Sequence, residues 1–185
     1  MSSAGSVGGG DRLRLFLALQ LPVEVVDVLA RWQDAHLAGG RLVAPEHLHV
    51  TLAFLGSRPA AERAGIVDVL RTAARDAGRL ALEPVRWRET RSVGTVVLRD
   101  ATGAAAELAS VLHGRLEALG VYRRERRAWL AHVTVLRFRE RPRLAPPLPA
   151  TGTFVPSGAA AYVSHLHPAG ARYEVLDRVS LTAGG

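Results

Sequence analysis

A histidine followed two positions later by a threonine occurs twice in this chain, each time within an apolar segment. The first copy, HVTL, begins at His49, and the second copy, HVTV, begins at His132. Side chains alternate between the two faces of a β-strand, so the histidine and threonine of each copy share one face and their apolar neighbours share the other. Two such strands facing each other would place two imidazoles and two hydroxyls around a single cleft.

This set of groups is suited to hydrolysis of a phosphodiester. One imidazole takes a proton from the attacking water and the other gives a proton to the departing alkoxide, because the histidine pKa of about 6.5 makes both forms accessible near neutrality. Threonine hydroxyls and an arginine can hold the non-bridging phosphate oxygens, and this chemistry requires no metal ion. A single H-x-T is also an ordinary half-buried strand pattern. The second copy, in the other half of the chain, favours catalysis.

The spacing of apolar residues predicts strands and helices that are interleaved along the chain. Alternating leucines predict a strand from Arg12 to Gln20, and apolar residues at helical spacing predict a helix from Pro22 to Leu37. Further strands are predicted at 48–55, 80–88, 94–99, 129–138, 160–166 and 172–181, and further helices at 59–76 and 104–119. The absence of a regular strand-helix-strand order favours an α+β fold. Residues 1–10, rich in glycine and serine, are expected to form a flexible tail before one domain at 11–185.

The composition narrows the classes of function. The 185 residues include 24 lysine and arginine side chains, all of them arginine, against 17 acidic ones, for a formal net charge of +7. The absence of cysteine excludes a thiol nucleophile and cysteine-bound zinc, and the absence of lysine excludes any chemistry that uses a lysine amine. An arginine-rich surface suits phosphate groups. Because no apolar run is long enough to span a bilayer and no signal peptide is evident, we expect a cytoplasmic protein.

Several sequence blocks resemble a known family. They are RLFLA from Arg14 with Leu21-Pro22, PEHLHVTLAFLG from Pro45, ERR from Glu125 followed by HVTVLR from His132, and the end of the chain around PAGARYE. Together they resemble the two-histidine phosphoesterase superfamily, and within it the RNA 2′,3′-cyclic phosphodiesterases, also called the 2′-5′ RNA ligase family. The resemblance implies a bilobal fold, with two pseudo-symmetric lobes of antiparallel sheet, outer helices and a cleft between them.

The resemblance also implies an activity, the opening of RNA 2′,3′-cyclic phosphate ends to 2′-phosphates without metal or cofactor. It assigns His49 and His132 as the acid/base pair, and we prefer His49 as the acid, although the sequence leaves the order of these roles open. The implied phosphate ligands are Thr51, Thr134 and Arg137, and Phe54 is the candidate nucleobase contact. Strict alternation puts Arg137 on the face opposite His132, so its role requires the strand to end or bulge.

Other residues have a more open interpretation. Arg126 and Arg127 lie in an arginine cluster just before the second motif and are candidate guides for an RNA strand. Two H-x-H pairs, at His47 and His165, have a metal-ligand spacing, but we favour solvated or catalytic histidines and predict no metal. Two alternative functions remain: RNA ligation through the same site, and binding of RNA ends without catalysis. In each case the partner is RNA with a cyclic phosphate end or a cyclic nucleotide, and we expect a monomer.

Overall fold

The computed structural model describes residues 11–167 and 170–181, and in this part of the chain it contains three α-helices and eight β-strands. The helices are α1 (Val23–His36), α2 (Arg63–Arg75) and α3 (Ala104–Ala118). The strands are β1 (Arg12–Gln20), β2 (Arg41–Leu42), β3 (His49–Pro59), β4 (Leu82–Glu89), β5 (Val93–Asp100), β6 (His132–Arg137), β7 (Gly158–His167) and β8 (Gly170–Val179). The predicted α+β class is confirmed. The predicted tail, 1–10, lies outside the described residues.

All eight strands belong to one sheet. The order is β4-β5-β6-β3-β1-β7-β8, with β2 pairing to β6, and every pairing among them is antiparallel. The two predicted lobes are the two halves of this sheet. Each half contains one H-x-T strand, β3 or β6, and the halves meet where Val50 pairs with Val133. The fold therefore brings the two motifs next to each other at the centre of the molecule.

One face of the sheet packs against the helices. The central strands contribute fully buried leucines and valines, and each helix contributes leucines that are at most 2% exposed: Leu29 from α1, Leu70 from α2 and Leu112 from α3. Burying one such side chain stabilises the fold by about 1.5–3 kcal/mol. Because the apolar positions of β3 and β6 point into this core, the histidines and threonines of the motifs are on the opposite face.

Most predicted elements are present with shifted ends. Strand β3 does not stop at Gly56, because this glycine adopts a φ of 68° and still pairs with Leu15, so the strand continues to Pro59. Strand β6 begins at His132 and not at Trp129. Among residues 11–167 and 170–181, no helix is both long enough and apolar enough to cross a membrane.

Candidate active site

The two H-x-T motifs lie side by side where β3 meets β6. Their middle valines pair in antiparallel orientation, so the register places His49 beside Thr134 and Thr51 beside His132. The cavities on this face agree with that register, because His49 and Thr134 line one cavity and Thr51 and His132 line a second. The structure therefore brings the four predicted side chains together around a pseudo-two-fold axis.

Both histidine rings are held in the same way. Nδ1 of His49 lies 2.7 Å from the carbonyl oxygen of His47, and Nδ1 of His132 lies 2.8 Å from that of Leu130. A carbonyl oxygen only accepts, so in each ring Nδ1 donates and Nε2 is left for the cleft. Nε2 of His49 lies 3.1 Å from Oγ1 of Thr51, which donates to it when the ring is neutral. Each Nε2 is thus available for proton transfer.

Burial lowers the pKa of His49 to about 4. The hydrogen bond to the His47 carbonyl opposes this shift, whereas the positive charges of His47, Arg137 and His132 add to it. The ring is packed among three aromatic side chains from β1, β7 and β8, with centroid distances of 5.1 Å to Phe16, 6.3 Å to Tyr162 and 5.7 Å to Tyr173. His49 is therefore neutral at pH 7 in the free protein.

An extra residue interrupts each motif strand one position after the threonine. In β6, Thr134 pairs with Thr95 and Leu136 pairs with Gly94, so Val135 has no partner on β5. In β3, Thr51 pairs with Ala18 and Ala53 pairs with Leu17, so Leu52 has no partner on β1. Such a bulge shifts the alternation of side chains by one residue.

The two bulges change which later side chains face the cleft. Arg137 and Phe54 each follow their histidine by five positions, and strict alternation puts both on the opposite face. After the bulges both lie on the histidine face, where Arg137 lines the cavity that contains His49 and Thr134. The bulge that the predicted role of Arg137 requires is present.

Two cavities open on this face, and Thr51 and Phe54 line both. The first, here called the His49 cavity, has a volume of about 410 Å³. The second, the His132 cavity, has a volume of about 300 Å³. The other polar side chains in the His49 cavity include Arg14, Arg41, His47, Thr134, Arg137 and Tyr173. Those in the His132 cavity include Arg88, Tyr122, Arg124, Glu125, Arg127 and Trp129.

The two arginines predicted as RNA guides are placed differently. Arg127 lines the His132 cavity, whereas Arg126 is exposed and is not among the residues that line either of these two cavities. Phe54 is 49% exposed, and the guanidinium of Arg14 lies 4.7 Å from the centre of its ring. Arg14 is a site residue that was not predicted from the sequence, although the alternation of β1 puts it on the same face as Phe16.

Trp129 is a second site residue that sequence reasoning missed. Its indole nitrogen donates to the carbonyl oxygen of Thr51 over 2.9 Å, and its ring lines the His132 cavity. The segment before β6 is thereby attached to the first motif strand. In the sequence, the apolar residues around Trp129 predict only a strand, and a strand pattern does not predict a hydrogen bond from Trp129 to a distant carbonyl.

The H-x-H pairs do not assemble into one cluster. His47 and His167 line the His49 cavity, whereas Nε2 of His165 lies 3.1 Å from a carboxylate oxygen of Glu174. Within the described part of the chain, no group of three or more histidine, cysteine, aspartate or glutamate side chains is arranged to hold a metal ion.

Comparison with known proteins points to one family. Residues 19–88 match the family model described as LigT-like phosphoesterase. The chain is 30% identical over 173 residues to the RNA 2′,3′-cyclic phosphodiesterase of Escherichia coli K12, covering 91% of this chain and 97% of that protein.

Solved structures share the fold. A protein of Thermus thermophilus is 30% identical, with a TM-score of 0.75 over 92% of this chain and 99% of that one. The E. coli LigT structure complexed with phosphate is 25% identical, with a TM-score of 0.76 over 94% of this chain and 99% of that one. The present chain belongs to the LigT-like phosphoesterase family.

Proposed function

We propose that this protein hydrolyses RNA 2′,3′-cyclic phosphate ends to 2′-phosphates, using His49 and His132 as an acid/base pair. The observation that carries the proposal is the antiparallel junction of the two H-x-T motifs, which gathers two imidazoles and two hydroxyls at one cleft. The E. coli relative is an RNA 2′,3′-cyclic phosphodiesterase, which supports a cyclic phosphate as the substrate. The arginine content of the cleft supports an anionic substrate.

The proposed reaction is an in-line displacement at phosphorus. One histidine Nε2 accepts a proton from water as the water oxygen forms a bond to phosphorus, and the P–O3′ bond breaks. The other histidine donates its Nε2 proton to O3′, which leaves a 3′-hydroxyl and a 2′-phosphate. Thr51, Thr134 and Arg137 hold the non-bridging oxygens, where negative charge increases in the transition state. In this step one histidine therefore gains a proton and the other loses one.

The surroundings of the two histidines support one assignment of the acid and base roles. A ring with a pKa of about 4 is unprotonated near neutrality, which is the form that accepts a proton. An anionic phosphate beside it raises that pKa, but it does so from a value well below neutrality. We therefore assign His49 as the base and His132 as the acid, which reverses the preference drawn from the sequence.

Substrate binding involves both cavities. Phe54, half exposed and contacted by Arg14, offers a face on which a nucleobase stacks. Arg127 lines the His132 cavity and supplies positive charge for the RNA backbone. Arg126, the preceding residue, is exposed and acts on the RNA at longer range.

The proposal is tested with a short oligonucleotide that ends in a 2′,3′-cyclic phosphate, incubated with the purified protein in EDTA. We expect a 2′-phosphate product, and we expect its formation to be lost in His49→Ala and in His132→Ala. A 3′-phosphate product, or no product, contradicts the proposal. Adding an RNA with a 5′-hydroxyl end tests ligation, because a joined product would show that the same site runs in reverse. Undiminished binding of the RNA end without turnover would indicate a binding protein.

A further inference from the structure

Two buried polar side chains from different helices reach the two bulges. Gln33 of α1 is 2% exposed, and its amide nitrogen donates to the carbonyl oxygen of Val135 over 2.7 Å. His113 of α3 is 7% exposed, and its Nε2 lies 2.8 Å from the carbonyl oxygen of Leu52. Val135 and Leu52 are the residues that the strand pairing skips. In both halves of the molecule, the bulge directly after the threonine is therefore contacted by a buried polar side chain from a helix.

These contacts give the carbonyl of each of these two bulged residues a buried side-chain donor. A bulged residue interrupts the ladder, and a buried carbonyl without a donor is costly. The carbonyl of Val135 also accepts from the backbone nitrogen of Val43 over 3.0 Å, and the Gln33 amide donates to the carbonyl of Val43 as well, over 3.0 Å. Gln33 thus ties the bulge of β6 and the segment after β2 to the same point on α1. His113 donates directly to the bulge of β3.

We propose that Gln33 and His113 are positioning residues for the reaction proposed above. Gln33 fixes the bulge that turns Arg137 toward the phosphate. His113 fixes the bulge that turns Phe54 toward the nucleobase. Without the bulges, alternation returns both of these side chains to the helix face of the sheet. The expected changes in kcat and KM rest on the proposed function. The role of Gln33 and His113 in holding the bulges rests on strand register alone.

The two positions have separable kinetic effects. Gln33→Leu removes the amide but keeps the bulk, and we expect kcat to fall roughly 10- to 100-fold as Arg137 leaves its position. His113→Leu affects the nucleobase side, so we expect KM to rise roughly tenfold with kcat little changed. His113→Gln retains a nitrogen donor at similar reach, and we expect KM close to the wild-type value.

Strand register gives a readout that does not depend on activity. In the wild-type protein, cross-strand NOEs should join Thr95 to Thr134 and Gly94 to Leu136, as the bulged register requires. We expect Gln33→Leu to weaken these NOEs and to introduce one between Gly94 and Val135. If the wild-type protein hydrolyses no cyclic phosphate, the proposed function fails while these NOEs still test the role of Gln33.

Matched core variants control for a general loss of stability. Leu29→Ala on α1 and Leu112→Ala on α3 remove buried side chains that are not polar and cannot donate to a bulge. We expect both to lower the melting temperature while kcat and KM remain within about threefold of wild type. Gln33→Asn keeps a polar amide that is one methylene too short to reach the Val135 carbonyl, and we expect the same loss of kcat as in Gln33→Leu. Unchanged kinetics and register in the Gln33 variants, or an equal kcat loss in Leu29→Ala, would overturn the proposal.

Discussion

Strands β3 and β6 carry the same motif in the same backbone frame, but their surroundings differ. Each begins with a histidine whose Nδ1 contacts the carbonyl two residues earlier, and each bulges one position after the threonine. His49, however, is packed among aromatic rings, and its pKa is lowered to about 4 by burial. His132 faces a cavity lined by three arginines, Arg88, Arg124 and Arg127. The repeat provides the geometry, and the unequal surroundings are the basis for the two different roles that we propose for the histidines.

The same contrast holds five residues after each histidine. The bulges bring Phe54 and Arg137 to equivalent positions, yet one side chain is aromatic and the other is cationic. An aromatic face suits a base, and a guanidinium suits a phosphate. A substrate that has a nucleoside on one side and a phosphate at the centre fits such an asymmetric pair. The symmetry of the sheet is thus retained in the backbone and lost in the side chains.

The largest expected effects come from replacing the two histidines. A substrate whose leaving group needs no proton distinguishes the acid from the base. Each alanine variant should lose roughly 10²- to 10⁴-fold in kcat on a cyclic phosphate. A nucleoside p-nitrophenyl phosphodiester releases a phenolate that needs no proton, so on this substrate His132→Ala should recover most of its activity. His49→Ala should not recover, because the attacking water still needs a base.

The exposed His36 of α1 provides the matched control, since His36→Ala should leave both rates unchanged. Recovery by His49→Ala in place of His132→Ala would reverse the assignment and support His49 as the acid. Initial rates with both substrates at one pH are sufficient for this test.

The next effects distinguish Arg137 from Phe54. Arg137→Met removes a cation from the transition state, and we expect kcat to fall roughly 10²- to 10³-fold with a smaller change in KM. Phe54→Ala removes a stacking face, and we expect KM to rise roughly tenfold with kcat nearly unchanged. Steady-state kinetics on one dinucleotide that ends in a 2′,3′-cyclic phosphate measures kcat and KM for both variants. If the two variants change kcat and KM in the same proportions, the two positions do not have distinct roles.

The sequence predicts the motif strands well because their information is local. The alternation around His49 and His132 defines two strands, their faces and the side chains that share a face. The α+β class follows from the order of the predicted elements, and the structure confirms it. The faces predicted for the residues from each histidine to its threonine therefore agree with the structure.

The rest depends on contacts between distant parts of the chain. The bulges are defined by the pairing of β3 with β1 and of β6 with β5, so no pattern within either motif reveals them. His113 reaches a carbonyl 61 positions earlier, and Gln33 one 102 positions later. The low pKa of His49 arises from rings on three other strands. Burial and register are properties of the folded sheet, and one strand's sequence does not contain them.

A smaller effect is the titration of the His49 ring. By NMR, the His49 ring should titrate with a midpoint near pH 4, below its ordinary value of 6.5, because burial disfavours the cation. The unfolded chain binds a proton at a higher pH than the folded one, so the stability contributed by a neutral His49 is complete above pH 6.5 and is lost as the pH falls through about 4. The variant His49→Asn should lack this part of the pH dependence. A midpoint near 6.5 for His49 would remove the basis for assigning it as the base.

The smallest expected effect separates two neighbouring arginines. Arg127 lines the His132 cavity and Arg126 does not, although both are exposed and carry the same charge. Arg127→Gln should weaken binding of an RNA oligonucleotide a few-fold and lower the slope of log affinity against log salt by about one, as expected for one lost phosphate contact. Arg126→Gln should leave the slope unchanged and the affinity within about twofold. Equal slopes for the two variants would mean that the loop acts through its net charge, and then the asymmetry between the two motif strands would not extend to the RNA backbone.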